Sequence, residues 1–532
     1  MSLALPELNS TIANLQACVD KAASQLNGDL DQEQIQLYEL AFCQAYVDAA
    51  QAFSQWATAK GDANMQRVAN YFAADVLWEA NAKLSKHPAS FGLTFADLPD
   101  INTIQDWLSP QMQSEIGQYF LSHGIPELSL SEEHKIIQQT FAQFSDEVVK
   151  PQAEAVHRQD LLIPDEILQP LKDMGCFGLS VPQRFGGLKP DDEEDSVGMV
   201  IVTEELSRGS LGAAGSLITR PEIMARAILE GGTEEQMQRW LPGLATGEPL
   251  CAISVTEPNT GSDVANVALK ATPCEGGWLL SGGKTWCTFA GYAESILVLA
   301  RTDQEIKPPH KGLSLFVVEK EAFDGHSFDI KQDQGGSLSG RAIATVGYRG
   351  MHSFELFFDN FFVASQQLIG EAQGQGRGFY YTMRGFMGGR LQTAARACGL
   401  MRACFEEAQR YAQERKVFNK AVAEYPVSAQ KFAKMGAYIC ACRILTQQVA
   451  GLMDAGQGAM QASLVKLLSC RAAEWVSREA MQLHGGMGYA EESAVSRYFV
   501  DARVLSIFEG AEETLAIRVV GKALVDEMRQ KG

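Results

Sequence analysis

One carboxylate near the end of the chain stands in a pattern that suits a general base. Residues 506–510 read Ser-Ile-Phe-Glu-Gly, so Glu509 follows two apolar residues and precedes glycine. A carboxyl group among apolar neighbours binds its proton more tightly, because burial disfavours the charged form, and this suits proton abstraction near neutral pH. The same pattern also fits an exposed glutamate at a helix end, so Glu509 alone does not identify a site.

Two further segments form a pattern together with the segment that contains Glu509. Residues 255–263 read Val-Thr-Glu-Pro-Asn-Thr-Gly-Ser-Asp, and residues 482–486 read Gln-Leu-His-Gly-Gly. In this order and at these separations the three segments resemble the flavin-dependent acyl-CoA dehydrogenase family, over residues 130–532. The resemblance implies FAD as cofactor, an acyl-CoA thioester as substrate and Glu509 as the base that removes its α-proton. Some family members place the base just before Arg390, where this chain has Gly389 and therefore no acid.

The resemblance also assigns residues to the cofactor. Family members hold the flavin with two loops of the β domain and with residues of a neighbouring subunit. The second loop departs from the family here, because Phe289 and Ala290 stand where Asn-Gly is common. The first loop contributes Val255, Thr256, Gly261 and Ser262, the second Trp286 and Thr288, and the neighbour Arg415, Phe418, Gln482, Gly485, Gly486 and, as a weak candidate, Glu513. A shared site of this kind predicts a homodimer or a homotetramer.

The substrate contacts are less closely defined by the resemblance. Ser262, Arg390 and Gly510 are expected to contact the acyl-CoA, although Met387 replaces the acid that relatives often carry three residues before Arg390. In its N-terminal extension and in the motifs at residues 347–353, 389–396 and 485–492, the chain resembles family members whose substrate has a branched C2 and a terminal carboxylate. A cation should receive that carboxylate, and the candidates are Arg220, Arg349 and Arg384.

Alternatives within and outside this chemistry stay open at this point. The substrate could be another short, branched or dicarboxylic acyl-CoA, and an oxidase would return electrons to oxygen. A dehydrogenase would pass them to an electron-transfer flavoprotein. Some large members of the family bind DNA instead, but a net charge of −20 argues against a nucleic-acid footprint.

The pattern of apolar residues and glycine turns along the chain predicts a multi-domain α+β protein. Residues 1–125 form a helical extension, in which positions 37–57 and 65–76 read as a helical hairpin with one apolar stripe. Residues 126–249 are mainly helical, and residues 250–370 alternate strand-like runs with glycine turns, typical of a small β-barrel or sandwich. Residues 371–532 carry the long periodicities of a four-helix bundle. Helical domain, β domain and helical bundle in this order are the architecture that the resemblance implies.

Composition adds further expectations. Eleven cysteines without framework spacing fit reduced thiols, and nothing in the sequence predicts a metal site. The first twenty residues contain no Lys or Arg, and no apolar run approaches ~18 residues. The sequence therefore predicts a cytoplasmic protein without a leader or a membrane span.

Overall fold

A computed structural model describes residues 5–531 of the chain. Seventeen α-helices and ten strands are joined by short 3₁₀ and π turns in these residues. The helices are α1 (Leu5–Gln25), α2 (Gln34–Lys60), α3 (Ala63–Ser85), α4 (Pro110–His123), α5 (Glu132–Phe144), α6 (Lys150–Gln159), α7 (Asp165–Asp173), α8 (Ser196–Gly209), α9 (Thr219–Gly231), α10 (Glu234–Thr246), α11 (Glu371–Gly374), α12 (Gly378–Glu414), α13 (Pro426–Asp454), α14 (Ala459–His484), α15 (Ala494–Leu505), α16 (Glu512–Thr514) and α17 (Lys522–Lys531). The strands are β1 (Cys251–Ser254), β2 (Lys270–Cys274), β3 (Gly277–Thr288), β4 (Ser295–Arg301), β5 (Leu313–Glu319), β6 (Ser327–Lys331), β7 (Ser337–Ile343), β8 (Ser353–Ala364), β9 (Lys416–Val417) and β10 (Lys420–Ala421).

The chain divides into two compact units. Among the described residues, the sheet unit comprises residues 140–392, and the bundle unit comprises residues 5–139 and 393–531. The predicted order of helical, β and helical regions is confirmed.

The sheet unit is built on a mixed sheet of eight strands. The strands follow the order β1-β4-β2-β3-β8-β7-β6. β5 lies off this path and pairs with β4. β1 and β2 run parallel to β4, and the remaining pairs are antiparallel. One apolar core lies between the sheet and helices α9 and α10, and a second is formed by β3, β4, β5 and β8. The strand-like runs at residues 252–255, 278–280, 295–299, 313–318 and 354–358 predicted β1, β3, β4, β5 and β8. The sequence missed β2, β6 and β7, whose residues are partly exposed.

The bundle unit contains the predicted hairpin of α2 and α3. Gly61 ends α2 with φ 69°, which favours glycine, and the Asp62 side chain caps α3 by accepting hydrogen bonds from Asn64 and Met65 backbone N–H groups. The expectation of a single apolar stripe was wrong for α2. Its buried residues include consecutive positions from Leu40 to Val47, so they surround the helix.

The N-terminal extension packs on the C-terminal helices of the same unit. A Cβ at Gly117 on α4 would lie 1.9 Å from the Ala429 carbonyl oxygen on α13, so these two helices approach as closely as glycine permits. Phe72 on α3 meets Tyr438 on α13 edge to face, with ring centroids 5.0 Å apart. The extension is therefore part of one core with α13. No helix within residues 5–531 is both long and apolar enough to cross a membrane.

Candidate active site

The first predicted flavin loop follows β1 directly. Glu257 is buried in it, and its carboxylate accepts hydrogen bonds from the backbone N–H groups of Ala268 at 2.7 Å and Leu269 at 2.8 Å. These bonds fold residues 255–269 back on themselves, and they leave Gly261 and Ser262 exposed at the tip.

A buried lysine joins the first loop to the second. Lys284 on β3 has a side chain with no exposed surface, and its ammonium group lies 2.9 Å from the Glu257 carboxylate and 2.8 Å from the Val255 carbonyl oxygen. The Thr285 N–H also donates to the Thr256 carbonyl at 2.9 Å. Burial lowers the pKa of Lys284, and the charge of Glu257 opposes that shift. Sequence reasoning assigned no role to this pair.

The second loop presents its aromatic residue outward. The Trp286 side chain is 55% exposed, and Trp286 and Phe289 adopt φ values of 58° and 71°, a region that few residues other than glycine occupy. The Thr288 hydroxyl is hydrogen-bonded to the Ser353 hydroxyl at 3.0 Å, and the Phe289 N–H donates to the His352 carbonyl oxygen at 2.7 Å. These two hydrogen bonds therefore hold the second loop against the start of β8.

The groups on these two loops fit a flavin. The hydroxyls of Thr256, Ser262 and Thr288 can donate to and accept from a polar heterocycle and a phosphate, and the exposed indole of Trp286 offers a flat apolar surface. The roles of the individual residues stay predictions.

The start of β8 is itself braced by a cluster of polar residues. His352 and His326 each place Nε2 against an oxygen of the Asp160 carboxylate, at 3.1 Å and 3.2 Å. Burial lowers the pKa of His352, against the opposing charge of Asp160. These three residues offer ligand-type atoms within 4.8 Å of one another, a grouping that the sequence did not predict. Their hydrogen bonds tie the end of α6 to the segment that holds the second loop.

Of the three candidate arginines for a substrate carboxylate, Arg220 has the most unusual surroundings. It is only 6% exposed at the start of α9. Its guanidinium donates to the Ser216 carbonyl, to the Tyr348 hydroxyl at 3.2 Å and toward the Met351 sulfur at 3.5 Å. Among the described residues, no carboxylate oxygen lies within 4 Å of it. Buried cations are normally paired, so Arg220 lacks the anion that its environment calls for.

The other arginines of the sheet unit already have partners or lie at the surface. Arg349 donates to the carbonyl oxygens of Thr345 and His157 and lies 3.8 Å from Asp160. Arg384 is more than half exposed, with Glu230 at 4.0 Å. Arg390 is partly buried on α12. The contacts thus distinguish Arg220 from these candidates.

Glu509 lies in the bundle unit, in the turn between α15 and α16. Glu509 and Gly510 have consecutive positive φ values of 54° and 98°. Glu509 is partly buried, and Ile507 is 54% exposed, so the apolar enclosure expected from the sequence is only partly present in this unit. Glu513 is exposed on α16.

The residues assigned to a neighbouring subunit lie at the surface of the bundle unit. Arg415 and Phe418 follow α12, and Phe418 is 94% exposed with φ 47°. Gln482, Gly485 and Gly486 are exposed at the end of α14, and a Cβ at either glycine would meet nothing within 4 Å. The two helix ends are held together by His484, whose buried ring stacks on the Tyr411 ring with centroids 4.3 Å apart.

Comparison with known proteins connects these features. Models of the acyl-CoA dehydrogenase N-terminal, middle and C-terminal domains match residues 131–248, 252–361 and 376–525. (2S)-Methylsuccinyl-CoA dehydrogenase from Cereibacter sphaeroides is 43% identical over 75% of this chain and 70% of that protein. The caffeyl-CoA reductase–Etf complex subunit CarC from Acetobacterium woodii is 29% identical over 74% of this chain and 99% of that protein. The structure of a glutaryl-CoA dehydrogenase from Mycobacterium smegmatis in complex with FADH2 is similar with a TM-score of 0.64 at 26% identity, covering 74% of this chain and 95% of that chain.

We expect Lys284→Met to destabilise the protein and to weaken flavin binding. The substitution leaves Glu257 as a buried charge without its cation, which typically costs about 3–5 kcal/mol. Urea unfolding and the flavin content of the purified protein measure the two effects. Lys270→Met, at an exposed position of β2, is the matched control. Adding Glu257→Gln to Lys284→Met should recover part of the lost stability, and a single variant as stable as the wild type would contradict the role of the pair.

Proposed function

The chain belongs to the acyl-CoA dehydrogenase family, and on that premise we propose that it oxidises (2S)-methylsuccinyl-CoA to mesaconyl-CoA. The family consists of FAD-dependent oxidoreductases that act on CH–CH bonds. The 43% identity to a (2S)-methylsuccinyl-CoA dehydrogenase supports this substrate, as do the motifs at residues 347–353, 389–396 and 485–492. The reaction would belong to the ethylmalonyl-CoA pathway.

The observation that carries the substrate proposal is the buried Arg220. Methylsuccinyl-CoA differs from the monocarboxylic substrates of the family by a free carboxylate at the end of a short chain. A guanidinium recognises a carboxylate through charge-assisted hydrogen bonds, and these are strongest where water is excluded. Arg220 is buried and has no carboxylate within 4 Å among the described residues, so a ligand carboxylate would compensate its charge.

Arg220 is also connected to the proposed flavin loops within the sheet unit. Its guanidinium contacts Tyr348 and Met351, and the same segment continues into Ser353, whose hydroxyl bonds Thr288. An anion bound at Arg220 would therefore be held by the segment that also fixes the second loop. This connection favours Arg220 over Arg384, which is exposed and close to Glu230.

The chemistry we propose divides between a base and an electron acceptor. FAD, when bound, supplies the acceptor for the hydride that leaves C3 of the acyl group. Glu509 takes the C2 proton on its carboxylate, so a C2=C3 double bond forms in the product. The α-proton of a thioester is weakly acidic, so the developing enolate oxygen needs hydrogen-bond donors, and the backbone of residues 509–510 is our candidate for one of them. Ser262 and Arg390 would hold the CoA moiety.

We also propose that the enzyme works as a homodimer or homotetramer in the cytoplasm and passes its electrons to an electron-transfer flavoprotein. The exposed Phe418, Met487 and Tyr489 of the bundle unit support an oligomer, because large exposed apolar side chains are enriched at interfaces. The similarity to a subunit of a complex with an electron-transfer flavoprotein supports the electron carrier.

Anaerobic mixing of the purified protein with (2S)-methylsuccinyl-CoA tests the function directly. We expect rapid bleaching of the flavin absorbance, and slower or no bleaching with butyryl-CoA and glutaryl-CoA. Bleaching by another thioester alone would replace the substrate. No bleaching by any thioester would argue against a dehydrogenase. Rapid reoxidation of the reduced flavin when oxygen is then admitted would indicate an oxidase.

Glu509→Gln should bind flavin and acyl-CoA but lose flavin reduction. An amide cannot accept the α-proton, and loss of a general base typically lowers the rate by about 10²–10⁴-fold. Stopped-flow absorbance under single-turnover conditions measures the rate, with the exposed Glu527→Gln as control. A reduction rate within a few-fold of the wild type would remove Glu509 from this role.

Arg220→Gln should weaken binding of (2S)-methylsuccinyl-CoA more than binding of 2-methylbutyryl-CoA, which lacks the carboxylate. Loss of one partner of a buried charge pair costs about 2–5 kcal/mol, and this cost applies only to the anionic ligand. Equilibrium titration of flavin absorbance with each ligand gives the two affinities. Arg341→Gln, at an exposed position of β7, serves as control. Equal losses for both ligands would count against a carboxylate contact.

Arg415→Ala should lower flavin content without unfolding the chain. The Arg415 side chain is exposed, so its removal disturbs no core, and its expected partner is the flavin pyrophosphate of another subunit. Flavin content and sedimentation velocity measure retention and assembly, beside the exposed Arg410→Ala on the same helix end. Full flavin retention in Arg415→Ala would contradict a shared site.

A further inference from the structure

The turn that carries Glu509 has a backbone conformation that needs outside support. Glu509 has φ 54° and Gly510 has φ 98°, so two consecutive residues lie in the left-handed region. Glycine accepts this conformation readily, but a glutamate does so only where neighbouring groups impose it. The side-chain direction of Glu509 therefore depends on whatever fixes this turn.

A buried lysine contacts the backbone of this turn. Lys466 on α14 has no exposed surface, and its ammonium group donates a hydrogen bond to the Gly510 carbonyl oxygen at 2.8 Å. Among the described residues no carboxylate oxygen lies within 4 Å of this ammonium group. The charges of Glu509 and Glu512 act on it from farther away, and burial lowers the pKa of Lys466. Burying a cation without a direct ion pair is costly, so a purely packing role would be served better by an apolar residue.

A second buried cation contacts Phe508, the residue before Glu509. The Arg396 guanidinium on α12 lies over the Phe508 ring, 4.7 Å from its centroid, and donates to the Thr393 hydroxyl at 2.6 Å. Arg396 has no exposed surface. Phe508 and Gly510, the two neighbours of Glu509, are thus each held by a buried cation from a different helix of the bundle unit.

We propose that Lys466 is a positioning residue for Glu509, because its ammonium group fixes the Gly510 carbonyl and thereby the left-handed turn that orients the base. This proposal rests on the proposed role of Glu509 as the base. Lys466 contacts neither substrate nor flavin in it and acts only through the backbone of the turn. A misplacement of about 1 Å in a reacting group can lower a rate by about 10²-fold, so a loosened turn should be visible in kinetics.

The test compares three substitutions of Lys466. Met removes the hydrogen bond and the charge, Gln keeps an N–H donor without charge, and Arg keeps both. We expect the rate of flavin reduction per bound flavin to fall by about 10–100-fold in Lys466→Met, with substrate affinity within a few-fold of the wild type. Lys466→Gln should lose less, and Lys466→Arg should recover most of the rate. Lys522→Met, at an exposed position of α17, is the control.

A second readout isolates proton abstraction from electron transfer. With the flavin reduced beforehand, the enzyme can still exchange the α-hydrogen of a bound acyl-CoA with solvent deuterium, and NMR follows this exchange. Exchange should slow in Lys466→Met in parallel with flavin reduction. A residue that only stabilises the fold would instead lower the melting temperature and leave both rates per bound flavin unchanged.

The outcomes separate the two proposals. Wild-type rates in Lys466→Met beside an inactive Glu509→Gln would overturn the role of Lys466 alone. Wild-type rates in Glu509→Gln would overturn the proposed base, and the role of Lys466 with it. If Lys466→Met does not fold, Lys466→Gln is compared with Lys466→Arg. The glutamine side chain is one bond shorter and uncharged, so it should hold the Gly510 carbonyl less well, and wild-type rates of flavin reduction and exchange in Lys466→Gln would overturn the proposal.

Discussion

The sheet unit depends on the burial of one ammonium group. Lys284 has no exposed surface, and its charge is compensated by Glu257 and by the Val255 carbonyl. Removing an ammonium ion from water is costly, and this cost is offset only if both partners stay in place. The ion pair of Lys284 and Glu257 therefore connects the two predicted flavin loops, and it fixes the positions of Thr256 and Trp286.

The bundle unit uses buried cations in a comparable way. Lys466 and Arg396 hold the residues on either side of Glu509, one through a carbonyl oxygen and the other through an aromatic face. Neither contact resembles a surface ion pair, whose contribution is small and sensitive to salt. In both units, segments with exposed functional groups are thus held by buried cations.

The N-terminal extension contributes to the same region of the bundle unit. The Tyr38 hydroxyl on α2 donates to the Glu512 carboxylate at 2.6 Å, and Arg471 on α14 donates to the same carboxylate at 2.6 Å. The Arg471 guanidinium also lies 3.6 Å from the centroid of the Phe42 ring. Glu512 is three residues after Glu509, so the extension packs on the helix that follows the base. This arrangement gives the extension a structural role that its apolar periodicity alone did not define.

The sequence by itself determined the order of helical and β regions, the family, and the segments that carry Glu509, Thr256 and Trp286. Such features follow from local periodicity and from short motifs, in which neighbouring residues are constrained together. Only the tertiary structure decided which charges are buried and which partners they have. Lys284 and Glu257 are 27 residues apart, and Lys466 and Gly510 are 44 apart. No local pattern distinguishes these lysines from solvated ones, because the free energy of a charge depends on the dielectric and the partners that folding brings around it.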